Sequence, residues 1–256
     1  MKASFVAQTD VGLKRKENED SYLVDETNRI FVVADGMGGH AAGDLASKVA
    51  VESICDYFRR YSAGAGAQAT PYGINPELSE TGNKIINSIC VANNKIRQIA
   101  TRNEQLAGMG TTVVCAHLDG HIVTIGNVGD SRAYLFRQSG YRQLTEDHSW
   151  VNEQLQKNLI TPEDARVHPW RNVITRALGS RDSVEVDIFE ERVRAGDQVL
   201  LCTDGLSSML DDISMFEILT DGEAAQEQKC DRLVEEAKKA GGADNVTFIL
   251  IRFLEE

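Results

Sequence analysis

The sequence predicts an α+β fold in which helices cover antiparallel sheets. Strand-like segments come in runs, long helix-like segments stand between those runs, and no regular β-α-β alternation links them. No internal repeat, coiled-coil heptad or low-complexity tract interrupts the 256 residues. We therefore expect a single domain over residues 1–256, with 42% hydrophobic residues available for its core.

The first half of the chain alternates strands and helices of distinct character. Short strands are predicted at 3–9 and 20–25, and the unbroken apolar run at 30–34 predicts a strand buried on both faces. A helix follows from about 41 to 60. A loop at 61–80, rich in Gly and Pro, has no function that we can predict. A second long helix comes next, with isoleucines along one face.

The second half is richer in strands. Segments 111–118, 121–128 and 132–136 follow one another with short connections, so we expect them to pair antiparallel in succession. Residues 150–180 are polar and predict a small, partly helical excursion. The remaining elements are read from apolar patterning: strands at 184–190 and 198–203, a helix through Cys230 and a last strand at 246–253.

Composition limits the classes of function. The net charge of -12 and pI near 4.9 argue against nucleic acid or an anionic membrane as the partner. An acidic surface repels a phosphate substrate unless bound cations neutralise the carboxylates, so the acidity is itself an indication of metal. No apolar run reaches membrane-spanning length and no signal-peptide core follows Met1, so we expect a cytoplasmic protein. The five cysteines lack C-x-x-C spacing and predict buried thiols.

The run at 30–34 ends at Asp35, and three of the next four residues are glycines. Glycine lets the backbone turn beside this carboxylate, which can then face a cation or a phosphate. Two phosphate loops are excluded: Asp44-Leu45 stand where a P-loop needs Lys-Ser/Thr, and Ala41 stands where a dinucleotide fingerprint needs glycine. Taken alone, the motif is an ordinary turn.

Three further aspartates stand at predicted strand ends. Asp130 follows the strand at 121–128, Asp204 follows the strand at 198–203, and Asp244 precedes the last strand. Strand ends of packed sheets lie close together, and clustered carboxylates cannot all ionise without cations between them. Hard oxygen ligands favour Mg²⁺ or Mn²⁺ over zinc.

Six motifs, taken in order, are specific where each alone is not. They are Asn18-Glu19-Asp20, Ala34-Asp35-Gly36-Met37-Gly38-Gly39-His40, Gly108-Met109-Gly110-Thr111-Thr112, Gly129-Asp130-Ser131-Arg132, Cys202-Thr203-Asp204-Gly205-Leu206 and Gly242-Ala243-Asp244-Asn245-Val246-Thr247. The chain resembles the metal-dependent serine/threonine protein phosphatases of the 2C type, the bacterial branch most closely, from about residue 10 to residue 253. The resemblance implies a four-layer α-β-β-α sandwich, with a metal centre in a cleft at one edge and a small mobile flap at about 149–180.

The resemblance also implies a ligand set. Asp35 should bridge two metal ions, with the Gly36 carbonyl on one of them, and Asp204 and Asp244 should complete the first ion's shell. Two such cations lower the pKa of a shared water, which provides hydroxide at neutral pH without a protein nucleophile. We expect the ions to be Mn²⁺ or Mg²⁺.

Other family positions extend this centre. Asp130, together with Asp204, matches the position that holds a third, weaker ion, and Asp20 and Glu19 should act through metal-bound waters. Arg15 matches the arginine that grips the substrate phosphate, a task for which its planar fork suits two oxygens. The alternative for Arg15 is a solvated cation between two lysines.

The general acid is left open. His40 could protonate the leaving oxygen, since its ordinary pKa suits that task, or it could be a structural partner of the loop. In eukaryotic members the proposed acid lies where this chain has Met37. His168, in the flap, is a candidate to touch substrate, and a plain surface histidine is the alternative.

The predicted function is hydrolysis of phosphoserine and phosphothreonine on proteins without a covalent intermediate, opposing a serine/threonine kinase. The expected partners are phosphorylated proteins and a cognate kinase, with no nucleic acid and no membrane, and the protein is expected to be a monomer. Two alternatives stay open. One is a two-metal phosphohydrolase acting on small molecules, and the other is a non-catalytic module that binds a partner.

Overall fold

The computed structural model describes residues 1–39, 41–62 and 70–255. Over these residues two antiparallel sheets pack face to face and helices cover both outer sides, so the α+β sandwich is confirmed. The strands are β1 (Lys2–Asp10), β2 (Asp20–Asp25), β3 (Ile30–Met37), β4 (Gly110–Thr111), β5 (Val113–Asp119), β6 (Ile122–Val128), β7 (Arg132–Arg137), β8 (Gly140–Gln143), β9 (Asp187–Arg192), β10 (Gln198–Cys202) and β11 (Val246–Leu254). The helices are α1 (Ala41–Ser62), α2 (Glu80–Arg102), α3 (Trp150–Gln156), α4 (Pro162–Val167), α5 (Asp204–Ser207), α6 (Asp212–Thr220) and α7 (Gln226–Lys239).

The first sheet has the order β2-β3-β5-β6-β9, with β4 paired to β3. Strand β3, between β2 and β5, is buried on both faces, as predicted. Ile30, Val32 and Ala34 pack toward α1 and α2, while Phe31 and Val33 pack toward the second sheet. This alternation is the two-residue period of a strand with an apolar layer on each side, and it explains why no polar residue interrupts the run.

The second sheet has the order β1-β11-β10-β7-β8. Leu200 and Phe248 face its covering helices, where Cys230 and Leu233 of α7 complete an apolar cluster. The neighbouring residue Leu201 points the other way and packs between the two sheets. Helix α7 therefore takes its place through the apolar face that its sequence predicts.

The predicted pairing of three successive strands is half right. β5 and β6 form the expected antiparallel hairpin through the turn at 120–121. β6 and β7 do not pair: β6 lies between β5 and β9 in the first sheet, whereas β7 lies between β10 and β8 in the second. The three residues 129–131 cross from one sheet to the other. A short link requires only that two strand ends lie close, and facing sheets about 10 Å apart satisfy this as well as a hairpin does.

Other differences from the prediction are local. Strand β9 begins at Asp187 rather than at 184, and β8, α5 and α6 were not predicted. The segment 149–180, called the flap below, contains α3 and α4, in keeping with a partly helical excursion. A backbone bridge between Ser149 and Ile174 closes the base of the flap on itself, and a bridge between Leu178 and Thr111 of β4 ties that base to the sandwich. Residues 63–69 of the 61–80 loop lie outside the described residues.

All five cysteines carry free thiols, and four of them are buried. Cys90 is half-buried, so the prediction of buried thiols is wrong for that residue. Burial raises the pKa of Cys55 and of Cys115 to about 12, which keeps these thiols protonated and unreactive at neutral pH. In the described part of the chain, no helix combines the length and the hydropathy that crossing a bilayer requires.

Candidate active site

The strand order brings the predicted aspartates to one edge of the sandwich. Asp20, at the start of β2, pairs directly with Asp35, near the end of β3. In the second sheet Cys202, at the end of β10, pairs with Arg132, at the start of β7. In an antiparallel sheet the end of one strand lies beside the start of its neighbour, so residues just beyond these ends share an edge. Asp130, Asp204 and Asp244 are such residues.

Electrostatics shows that these carboxylates face a common space. The pKa of Asp35 is raised well above its ordinary value, first by burial and then by the charges of four other aspartates. Those four are Asp20, Asp204, Asp130 and Asp244. Like charges raise each other's pKa only when they lie within several ångströms in a poorly solvated place. The sequence-based expectation that the four strand-end aspartates converge is thus confirmed, and Asp20 joins them.

Asp20 is the most deeply buried of the five, with 7% of its surface exposed. Burial, together with the charges of Asp204 and Asp244, raises its pKa to about 8. Hydrogen bonds from two threonines act in the opposite direction and lower the pKa. One of these is the Thr203 hydroxyl, which donates to Asp20 Oδ2 over 2.8 Å. Burial likewise raises the pKa of Asp130 to about 7, with the charge of Asp204 as the next cause. Without cations this cluster cannot be fully ionised at neutral pH.

The donor set fits a hard divalent cation. Asp204 Oδ1 is buried and has no hydrogen-bond partner among the described atoms, so an acceptor is directed into the cluster and left unsatisfied by the protein. Within the described ranges, no group of three or more His, Cys, Asp or Glu side chains is placed so that it could hold a metal ion by itself. Ions here would take only part of their shell from side chains, which is how Mg²⁺ is usually held, with water and carbonyl oxygens completing the octahedron.

The backbone at Gly36 approaches its neighbours too closely for any side chain. A Cβ at this position would lie 2.1 Å from the Gly43 carbonyl oxygen and 2.6 Å from the Glu19 carbonyl oxygen. The Gly36 N–H donates to the same Glu19 oxygen over 3.1 Å. The glycine is therefore required by the contact between the end of β3, the start of α1 and the Glu19 turn.

Asp35 is held in place by two threonines whose role was not predicted. Thr112 Oγ1 accepts the Asp35 N–H over 3.0 Å, and the Thr112 N–H donates to the Asp35 carbonyl over 2.9 Å. The Thr111 hydroxyl donates to that same carbonyl over 2.8 Å. Both threonines are fully buried. They fix the backbone of Asp35, and their place in a motif beside two glycines was the only signal in the sequence.

Asn245 is a second positioning residue that sequence reasoning missed. Its Oδ1 accepts the Glu19 N–H over 2.9 Å, and its Nδ2 donates to the carbonyls of Val11 and Glu17, each over 3.0 Å. These contacts hold the turn at 11–19 against the start of β11. Asp20 begins β2 of the first sheet, and Asp244 lies just before β11 of the second sheet. Asn245 connects the two segments that carry them.

Arg15 lies at the open side of the cluster. Its Nη2 donates to Asp244 Oδ2 over 2.7 Å, and about half of its side chain is exposed. A guanidinium in this position can contact both an aspartate of the cluster and a ligand arriving from solvent. The alternative of a purely solvated cation is disfavoured by this contact.

Of the two candidate histidines, His168 lies within the described residues. His40 lies outside the described residues. His168 ends α4, is half-buried, and stacks on Trp150 with ring centroids 4.6 Å apart. Its Nδ1 accepts the Trp170 N–H over 3.1 Å. His168 thus has packing partners inside the flap.

A groove of about 1100 Å³ runs from the cluster to the flap. Asp130 and Asp204 line it, together with Arg166 and Arg171 of the flap. Apolar side chains, among them Leu155, form part of the same surface. The groove therefore has cationic, acidic and apolar walls.

Comparison with known proteins agrees with this geometry. The family model described as Protein phosphatase 2C matches residues 14–239. The serine/threonine phosphatase stp of Listeria welshimeri is 40% identical over 254 residues, which cover 98% of this chain and 95% of that protein. The crystal structure of the Mycobacterium tuberculosis serine/threonine phosphatase PstP/Ppp superposes with a TM-score of 0.85 at 34% identity, with 99% of each chain covered.

A second structure, the catalytic domain of PstP in complex with two manganese ions, has a TM-score of 0.82 at 32% identity and 99% coverage of each chain. Fold and site therefore define a metal-dependent phosphatase of the α-β-β-α class. The chain belongs to the protein phosphatase 2C family, and it is a serine/threonine protein phosphatase. The resemblance, the fold and the class of enzyme predicted from the sequence are confirmed; the roles of individual residues stay predictions.

Proposed function

We propose that this phosphatase hydrolyses phosphoserine and phosphothreonine on proteins by direct attack of water, with Asp35 at the centre of a site for two Mn²⁺ or Mg²⁺ ions. The observation that carries the proposal is the convergence of five aspartates from both sheets, which raises the pKa of Asp35 well above its ordinary value. When bound, the two ions lower the pKa of a shared water and supply the nucleophile at neutral pH.

The residues have separate tasks in this scheme. Asp35 would hold both ions, the Gly36 carbonyl one of them, and Asp204 and Asp244 would complete the shell of the first. Asp130, with Asp204, would hold a third and weaker ion. The buried, unpaired Asp204 Oδ1 supports a ligand role for that residue. Asp20 and Glu19 orient water, and Asp20 keeps its place through the hydroxyl of Thr203.

Substrate contacts come from the open side. Arg15 is at hydrogen-bond distance from Asp244 and exposed toward solvent, so its guanidinium can bind two phosphate oxygens beside the ions. The leaving oxygen needs a proton. His40 is the proposed donor from the sequence, and His168 is the proposed flap contact to the substrate chain. The groove toward Arg166 and Arg171 would take the peptide that flanks the phosphorylated residue.

The partners follow from this chemistry. A phosphatase of phosphoserine and phosphothreonine needs a kinase that adds those groups, so we propose a cognate serine/threonine kinase and its substrates as partners. The chain acts as one catalytic domain with the flap beside its site. Small-molecule hydrolysis is the competing function, because the same chemistry would serve it.

Turnover of a phosphothreonine peptide and of p-nitrophenyl phosphate, each with Mn²⁺, with Mg²⁺ and with chelator, tests the proposal. We expect metal-dependent release of phosphate from the peptide, and loss of at least about a thousandfold in Asp35→Asn. Asp25→Asn is the matched control, because Asp25 lies at the opposite end of β2 and pairs with Arg59 over 2.7 Å. Activity on the small ester alone, or wild-type turnover in Asp35→Asn, would contradict the proposal.

A further inference from the structure

The crossover at 129–131 carries Asp130 between the two sheets, and no strand pairing holds these three residues. Gly129 has φ of 108°, a backbone conformation that side chains rarely adopt. A Cβ there would also lie 2.6 Å from the Thr112 side chain. Few backbone conformations are therefore open to Gly129, and contacts with other segments of the chain must fix the position of Asp130.

Two consecutive residues, Asp147 and His148, supply those contacts on both sides of Asp130. His148 Nδ1 accepts the Gly129 N–H over 3.0 Å, and the His148 N–H donates to the Gly129 carbonyl over 2.9 Å. The Asp147 carboxylate accepts Nε and Nη2 of Arg132, the latter over 2.7 Å. Asp130 is thus bracketed by a histidine clamp before it and a bidentate ion pair after it.

The tautomer of His148 follows from these bonds. Because the Gly129 N–H is a donor, Nδ1 must carry no proton, and Nε2 carries it instead. Nε2 lies 3.0 Å from Asp187 Oδ2 and donates to it. That hydrogen bond, with Arg176 beside it, holds the pKa of Asp187 below its ordinary value and keeps the carboxylate an acceptor. His148 is 6% exposed, so water does not compete for either nitrogen.

We propose that His148 is a positioning residue for Asp130: Nδ1 anchors Gly129, and this sets the orientation of the Asp130 carboxylate toward the weak third ion. The inference rests on the proposed function, which makes Asp130 a ligand of that ion. His148 does not touch the substrate. Its action resembles that of residues behind metal ligands in other proteins, whose replacement typically weakens metal binding about tenfold to a hundredfold.

The two nitrogens can be tested separately. Asn places its Oδ1 near the position of a histidine Nδ1 and can accept the Gly129 N–H, whereas Gln places its Nε2 near the position of the histidine Nε2 and can donate to Asp187. The backbone of His148 is held apart from its side chain, because its carbonyl accepts the Thr175 N–H over 2.8 Å. His148→Asn and His148→Gln therefore form a matched pair that differs in which bond survives.

Two measurements distinguish the variants. In the chelator-treated protein, hydrogen exchange of the Gly129 amide should stay slow in wild type and His148→Asn and become at least about tenfold faster in His148→Gln. In Mn²⁺ titration calorimetry, the weak ion should bind about tenfold more weakly in His148→Gln and within about threefold of wild type in His148→Asn, with the tight ions unchanged in both.

Other results would overturn the inference. Equal exchange rates of the Gly129 amide in His148→Asn and His148→Gln would show that Nδ1 of His148 does not anchor Gly129. Weak-ion affinities that fall equally in both, in proportion to a lower melting temperature, would show a structural role only. Failure of the proposed function looks different: tight Mn²⁺ binding or metal-dependent peptide turnover would then be missing already in the wild-type protein.

Discussion

Binding of Mn²⁺ to the chelator-treated protein at pH 7 should release at least about one proton per chain from the cluster of Asp20, Asp35 and Asp130. Burial raises the pKa of Asp20 to about 8 and that of Asp130 to about 7. With those values, Asp20 carries about 0.9 of a proton at pH 7 and Asp130 about half of one. Cations bind beside these carboxyl groups only when they are ionised, so the protons must leave.

Calorimetry of Mn²⁺ binding in buffers of different ionisation enthalpy measures this number. The release should fall as pH rises from 7 to 9 and should be smaller in Asp20→Asn at pH 7, because that variant has one carboxyl group fewer in the cluster. Asp25→Asn should leave it unchanged, because Asp25 pairs with Arg59 away from the cluster. Identical binding enthalpies in all buffers at pH 7 would refute the reasoning, since the carboxylates would then be ionised without cations.

The same pKa shift sets the pH dependence of stability in the metal-free protein. A carboxyl group whose pKa is raised on folding stabilises the fold below its unfolded pKa of about 4, and this stabilisation is lost as pH rises through the folded value of about 8. A shift of about four units at Asp20 corresponds to a free energy of unfolding that falls by the order of 5 kcal/mol over the whole pH range. Urea unfolding with chelator at pH 5 and pH 8 should show ~3–4 kcal/mol of this loss, and equal stability at both would contradict the shift.

Two further substitutions test the phosphate contact and the packing of the strand ends. Arg15→Lys should raise KM for the phosphopeptide about tenfold and leave Mn²⁺ binding intact, because lysine lacks the planar fork. Steady-state kinetics checks this, with Lys14→Ala as the control for the neighbouring charge, and an unchanged KM in Arg15→Lys would contradict the phosphate contact. Gly205→Ala should lower the free energy of unfolding by about 1–3 kcal/mol in urea melts, because the added Cβ would lie 1.9 Å from the Asn245 carbonyl oxygen. Gly222→Ala, with open space around it, is the control, and equal effects of the two would contradict the clash.

Much of the fold could be predicted because its signals are local. The run at Ile30 to Ala34 has no polar residue, and it forms a strand buried on both faces. The apolar face that Cys230 and Leu233 share places α7 against the second sheet. The convergence of Asp35, Asp130 and Asp204 could also be inferred, because each stands where an apolar run ends.

The rest depends on contacts between residues distant in sequence. Residues 129–131 could have closed a hairpin or crossed between sheets, and only the partners of β7 decide between the two. Asn245 acts on Glu19 across 226 positions, and Thr112 acts on Asp35 across 77. The hydrogen bond between His148 and Gly129 could not be seen from spacing. Pattern and propensity describe neighbours along the chain, not such partners.

Counting the Mn²⁺ ions bound per chain tests the central claim that Asp35 is the shared ligand of the cluster. Equilibrium dialysis followed by elemental analysis should find two tightly bound ions in wild type and in Asp25→Asn. In Asp35→Asn, folded as judged by circular dichroism, it should find none retained at the same free Mn²⁺ concentration. Two ions retained by Asp35→Asn would contradict the claim.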